Sequence, residues 1–170
     1  MTREWRDQPK LHGKFHPDFP DDVQVVAHDG YPRRVGRSSE RIWVRISGVR
    51  EDGAFAGRVL NKPHQLTTVS EGSEIIFVAT AGEHLLMTTD AYLLDRPSWR
   101  ITPCDQCGLD ELFDPPSDLA RALFPNMPAD SMMASFTCFC GLCEGAHVVA
   151  RADTPPDIVV QNRWWEFWRS

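Results

Sequence analysis

The sequence predicts a mainly β protein: a small antiparallel sheet or barrel, an appended cysteine-rich module, and one or two short helices. Three observations carry this. Apolar residues between Asp22 and Thr89 recur with a period of two, and turn-forming clusters separate the runs at hairpin spacing. After residue 100 the character changes, and all five cysteines fall in that stretch with Pro103, Pro115, Pro116, Pro125 and Pro128.

The elements follow in order. Residues 1–21 contain Pro9, Pro17 and Pro20 and little periodicity, so they read as an arm that wraps the domain or frays. Val23, Val25 and Val26 begin the first strand. Ile42, Val44 and Ile46 alternate with Trp43, Arg45 and Ser47, as one face of a half-buried strand requires. Glu51-Asp52-Gly53 is a turn signal, and residues 54–60 form the return strand until Asn61-Lys62-Pro63 breaks it. A short strand is expected at 67–70. The β-branched run 74–80 then forms a central strand, and Ala81-Gly82-Glu83 turns into a last one at 84–89. Five or so short strands with no room for crossover helices close most simply as an antiparallel sheet or barrel over residues 22–99.

The module at 100–151 has one helix candidate, 117–124, with Ser117 as N-cap, Leu119 and Leu123 on one face and Pro125 as stop. Strands are expected at 135–139 and 147–150. Residues 152–170 carry Trp164, Trp165 and Trp168, a tail expected to dock back on the protein.

The formal net charge is -6 and no apolar run approaches the ~20 residues that span a bilayer. Both facts weigh against nucleic-acid and membrane partners, although Arg33, Arg34, Arg37, Arg41, Arg45 and Arg50 form a local basic stretch. The N-terminus is charged and aromatic where a secretory signal has an apolar segment, so the expected compartment is the reducing cytoplasm. There, paired cysteines point to metal rather than disulfides.

The cysteines carry the most specific signal. They read Cys104-Asp-Gln-Cys107-Gly108 and Cys140-Gly-Leu-Cys143-Glu-Gly145. A two-residue spacer lets two thiolates converge on one cation, and a nearby glycine lets backbone amides approach the sulfurs. Two such pairs predict a structural Zn2+ held by Cys104, Cys107, Cys140 and Cys143, a module similar to a zinc ribbon. Cys138 is the alternative to Cys140, since Cys138-Phe-Cys140 would set both thiols on one face of a strand.

Glu40-Arg41-Ile42-Trp43-Val44, the run from Gly53 to Pro63, and Glu71-Gly72-Ser73-Glu74-Ile75 resemble the DUF2314 (YegJ-like) domain, a bacterial family of unknown function. Glu40, Trp43, Phe55, Gly57, Asn61 and Pro63 fall on its pattern, while Ser73 stands where the family has Asp. The resemblance covers residues 22–90 and implies a bacterial β domain without assigning chemistry. The same residues have plain structural readings. Trp43 is a core or half-buried aromatic, Gly57 marks a bulge or close approach, Asn61 and Pro63 form a turn, and Glu40 pairs with a nearby arginine.

The six histidines show no metal-protease spacing, and no serine elbow or phosphate-binding loop occurs. His28-Asp29 reads as a surface histidine beside a turn. A Cys138 nucleophile with His147 lacks a third group. The balance leans away from an enzyme. It favours a zinc-binding interaction protein with a protein partner, of which a bacterial immunity protein is one version. A nucleic-acid-binding zinc-ribbon protein and a thiol- or metal-dependent enzyme are the alternatives.

Overall fold

The computed structural model describes residues 3–30 and 39–156. It is mainly β and divides into two compact units, Met1–Asp90 and Ala91–Ser170. Arg33, Arg34, Arg37 and the tryptophan-rich tail lie outside the described residues. Among the described residues, no helix is long and apolar enough to cross a membrane.

The first unit is a closed five-stranded barrel of β1 (Asp22–Ala27), β2 (Glu40–Val49), β3 (Phe55–Val59), β4 (Glu74–Ala79) and β5 (Leu85–Thr88). Successive strands pair antiparallel, and β5 returns to β1 as a parallel neighbour through the single pair Val26↔Leu86. The period-two pattern becomes the inside of the barrel. Val23 faces Val44 and Val25 faces Ile42 across β1–β2, and all four are fully buried. Phe55 opposes Phe77 across β3–β4 with ring centroids 5.5 Å apart.

Gly57 is required by closeness. A Cβ there would lie 2.5 Å from Val44 Cγ1 and 2.8 Å from the Arg45 carbonyl oxygen. Beside it the β2–β3 register shifts between Ile46 and Gly48, the bulge by which a short strand bends into a barrel wall.

The arm wraps rather than frays. Leu11 is wholly buried in the barrel core, Phe15 forms an antiparallel bridge with Val23, and Arg6 grips Asp21 with two bonds of 2.8 and 2.9 Å.

Three local expectations are corrected here. Residues 67–70 form no strand. Their amides and hydroxyls are taken by a carboxylate instead: Thr67 N and Oγ1 donate to Asp29 Oδ2, both at 2.8 Å, and Thr68 N donates to Asp29 Oδ1 at 2.9 Å. Leu66 and Val69 of this segment still reach the core. His28 is buried, not superficial. Its Nδ1 accepts the Gly30 amide at 3.1 Å, so Nε2 carries the hydrogen donated to the Met87 carbonyl at 2.9 Å. Glu40 pairs with no arginine among the described residues; it accepts the amides of His64 and Gln65 at 2.9 and 3.0 Å, closing the turn that Asn61 begins. Asn61 Oδ1 in turn accepts the Trp43 amide at 2.7 Å, and Trp43 is half-buried.

After β5 the chain forms α1 (Asp90–Asp95), whose first residue ends the first unit, and the second unit continues through β6 (Trp99–Ile101), α2 (Pro116–Leu123), β7 (Ser135–Phe139) and β8 (Ala146–Arg151). The strands form one sheet in the order β6-β8-β7, with β8 antiparallel to both neighbours. The strands at 135–139 and 146–151 agree with the sequence pattern. Helix α2 does too, but its cap does not. Pro116 occupies the first helical position, where no N–H is needed. Ser117 does not cap; its amide and hydroxyl both donate at 2.8 Å to Asp95, and that carboxylate takes the cap role from a distance in sequence. Between β6 and α2, Glu111 meets the Tyr92 hydroxyl and Arg96 Nε, the latter at 2.9 Å, while Leu112 N donates to Tyr92 Oη at 3.1 Å.

Candidate metal centre

Topology brings the two cysteine pairs together. Because β6 and β7 both run antiparallel to β8, they run parallel to each other and end on the same side of the sheet. Cys104 follows β6, where Thr102 N still reaches the Val148 carbonyl at 2.9 Å. Cys140 follows β7 and opens the turn into β8. The 32 residues between Cys107 and Cys140, including α2, are therefore an excursion that returns to its starting corner.

The two turns share a construction. The Cys104 amide donates to the Leu109 carbonyl, and the Cys140 amide to the Gly145 carbonyl, each five residues on and each at 2.8 Å. Within each turn the amide two residues after the first cysteine points at its sulfur: Gln106 N to Cys104 Sγ at 3.5 Å, and Leu142 N to Cys140 Sγ at 3.4 Å. Gly145 N lies 3.3 Å from Cys143 Sγ. A crosslink ties the turns together, as Ala146 N donates to Asp105 Oδ1 at 2.9 Å.

Each glycine has a steric reason. A Cβ on Gly145 would lie 2.4 Å from Cys104 Sγ and 2.7 Å from Asp105 Oδ1. One on Gly141 would lie 2.7 Å from the Phe113 ring. Gly108 takes a φ of +75°, the left-handed region that side chains disfavour.

All four sulfurs, from Cys104, Cys107, Cys140 and Cys143, lie within 4.8 Å of one another. Cys104 and Cys143 are 3.4 Å apart, and Cys107 and Cys140 are 3.6 Å apart. A tetrahedral ion with Zn–S bonds of about 2.3 Å sets its sulfurs about 3.8 Å apart, so this cluster can hold a metal ion. Cys104 and Cys140 are buried, Cys143 is half-buried and Cys107 is exposed.

The electrostatics are uneven. Burial opposes ionisation at Cys104, yet the amides of Cys107 and Gln106 outweigh it and hold that thiol below its ordinary range. Burial pushes Cys140 and Cys143 up. A cation that drew protons from all four would supply the charge that the amides only begin to offset.

Cys138 lies outside the cluster. Cys138 and Cys140 are both buried with the exposed Phe139 between them, as a shared face requires, but β7 ends at Phe139 and it is the Cys140 sulfur that lies with the other three. Cys138 instead stands opposite His147 across β7–β8, and burial pushes its thiol up to about 12. His147 is also buried, its Nδ1 is 3.0 Å from the Thr102 carbonyl oxygen, and burial holds its basicity down. The sequence missed Asp105, whose carboxylate joins the two turns; a short acidic residue between two ligands was the available signal.

The described arginines of the basic stretch face carboxylates. Arg45 makes two bonds to Asp22, at 2.8 and 3.0 Å, and Arg50 binds both Asp52 and Asp90, while Arg41 Nη2 lies 4.0 Å from Glu83.

Comparison with protein-family models, with curated proteins and with solved structures gives no match to this chain.

Proposed function

We propose that this chain is a non-catalytic interaction protein in which a structural Zn2+, held by Cys104, Cys107, Cys140 and Cys143, clamps the second unit. The observation that carries the reading is the convergence of four sulfurs within 4.8 Å at one corner of a three-stranded sheet. Four protein ligands close a tetrahedral ion and leave it no position for a reacting water, which is the pattern of structural rather than catalytic zinc. The thiolates need a reducing compartment, and the cytoplasm supplies one.

The DUF2314-like assignment belongs to the same reading. It is supported by the structural roles of its matched residues: Glu40 and Asn61 satisfy backbone amides, and Gly57 permits close strand approach. A motif of that kind maintains a scaffold. An acidic scaffold with Arg45 and Arg50 facing carboxylates suits a basic protein partner, as an immunity protein has, better than nucleic acid.

Native mass spectrometry with X-ray absorption of the purified chain tests the metal. One zinc per chain with four sulfur neighbours is expected, lost in Cys104→Ser and Cys143→Ser and retained in Cys138→Ser. A nitrogen or oxygen neighbour in the absorption spectrum, or loss of zinc in Cys138→Ser with retention in Cys140→Ser, would sink the closed four-cysteine site.

A further inference from the structure

The barrel carries a second polar site, at the seam where it closes. Strand β1 is bridged on its free side at Val23 by Phe15 of the arm and at Val26 by Leu86 of β5. The arm runs antiparallel to β1, so Lys14 and Gly13 follow Phe15 toward the start of β5. Between the two bridges the seam is unpaired, and there a cleft of about 210 Å³ opens. Val26 and Leu85, both buried, give it an apolar base, and Lys14, Gln24, Arg41, Glu83 and His84 give it polar walls.

Three basic side chains from three different elements meet in this cleft: Lys14 from the arm, Arg41 from β2 and His84 from the β4–β5 turn. Their donors are underused. Lys14 Nζ donates to the Gly82 carbonyl at 3.0 Å and has two further hydrogens. Arg41 and His84 face one carboxylate, that of Glu83, at 4.0 and 3.8 Å, both beyond hydrogen-bonding distance. Glu83 itself is 81% exposed, on a turn tip. Burial, then the charge of Arg41, holds down the basicity of His84, and burial does the same to Lys14. The basic groups are thus gathered against their mutual repulsion, with one loosely held carboxylate between them.

We propose that this cleft binds a small phosphate-type oxyanion, with Lys14, Arg41 and His84 as its donors and Glu83 as an internal stand-in that swings out when the anion enters. The guanidinium and ammonium groups match the charged oxygens of a phosphate. The cleft, at about 210 Å³, is larger than a bare phosphate ion, so a phosphate monoester fills it better. Nothing in this inference depends on the metal.

The test is a titration of the full chain, with metal bound, by phenyl phosphate, inorganic phosphate and benzoate, followed through the backbone amides of Gly82–Leu85 and Gly13–Lys14. Phenyl phosphate is expected to bind most tightly. Arg41→Gln and Lys14→Gln should each weaken it about tenfold, and Glu83→Gln should tighten it about threefold by removing the competing carboxylate. Arg41 is more than half exposed, so its substitution should leave thermal stability unchanged, and this separates lost binding from lost folding. Equal binding by the parent chain and Arg41→Gln would overturn the site, as would shifts confined to other residues. Tighter binding of benzoate than of phenyl phosphate would overturn the phosphate assignment.

Discussion

The two units reach order by different routes. In the barrel, inward residues from five strands, the arm and the 60–73 segment meet in one apolar core, and polar groups serve only its edges. In the second unit β6 has three residues and β7 five, and at the corner beyond them Cys104, Leu109 and Cys140 form a small buried cluster, with Leu142 and Cys143 against it. A corner so small buries too little surface to fix two loops. Sulfur ligands and backbone amides take the place of a core there. The contrast teaches that the barrel is limited by packing, and the cysteine corner by four sulfurs that could hold a metal ion.

The largest expected effect is the one that pulls these routes apart. Stripping the proposed zinc with a chelator should collapse amide-exchange protection in β6–β8 while β1–β5 keep theirs, since structural zinc sites contribute on the order of 10 kcal/mol to the small modules they organise. Phe77→Ala should do the reverse, costing about 3–5 kcal/mol in the barrel through a cavity beside Phe55 and leaving metal content at its original level. Protection in β6–β8 that survived complete metal removal would break the contrast.

Glycine substitutions sharpen it at the next scale. Gly57→Ala drives a methyl group into Val44 and the Arg45 carbonyl and should destabilise the barrel by about 1–3 kcal/mol in denaturant melts. Gly145→Ala drives one into Cys104 Sγ, so its main cost should be a zinc affinity lowered about tenfold or more in a competition titration. Gly48→Ala meets nothing within 4 Å and serves as the neutral control.

The smallest effect concerns acid. Burial opposes ionisation of Asp29, but the hydroxyls and amides of Thr68 and Thr67 outweigh it and hold its carboxyl well below the usual carboxylate range. A depressed folded pKa contributes stability that is complete above the unfolded value of about 3.9 and is lost as pH falls toward the folded one. Stability measured from pH 5 to pH 2 should therefore fall as the Asp29 contacts protonate, and Asp29→Asn should flatten that slope by about 1 kcal/mol, a figure reduced for solvent screening. An unchanged slope would mean that the 60–73 segment is held by Leu66 and Val69 in the core rather than by Asp29.

Much of this was legible in the chain itself. Alternation at Ile42, Val44 and Ile46 specified a half-buried strand of a sheet or barrel because a period of two leaves one face to bury, and Gly57 signalled a bulge or close approach, of which the structure shows the approach. The cysteine spacing named two converging pairs, with Cys138 as the alternative to Cys140, since a two-residue spacer is local geometry. Ser117, Glu40, His28 and the 67–70 run were misread for one reason. Each is polar, and a polar group takes whichever partner the fold delivers: Asp95 for Ser117, the His64 amide for Glu40, the Met87 carbonyl for His28, and Asp29 for the threonines.

What the sequence determined by itself was therefore the β architecture and the convergence of two cysteine pairs, with Cys138 left as the alternative to Cys140, because both rest on spacings of a few residues. Only the tertiary structure decided that β6 and β7 end at one corner, that Cys138 turns to His147 while Cys140 joins the cluster, and that Lys14, Arg41 and His84 share the cleft at the barrel seam. These are meetings of residues tens of positions apart. Chain closure sets them, and local pattern carries no record of where a strand will find its neighbour.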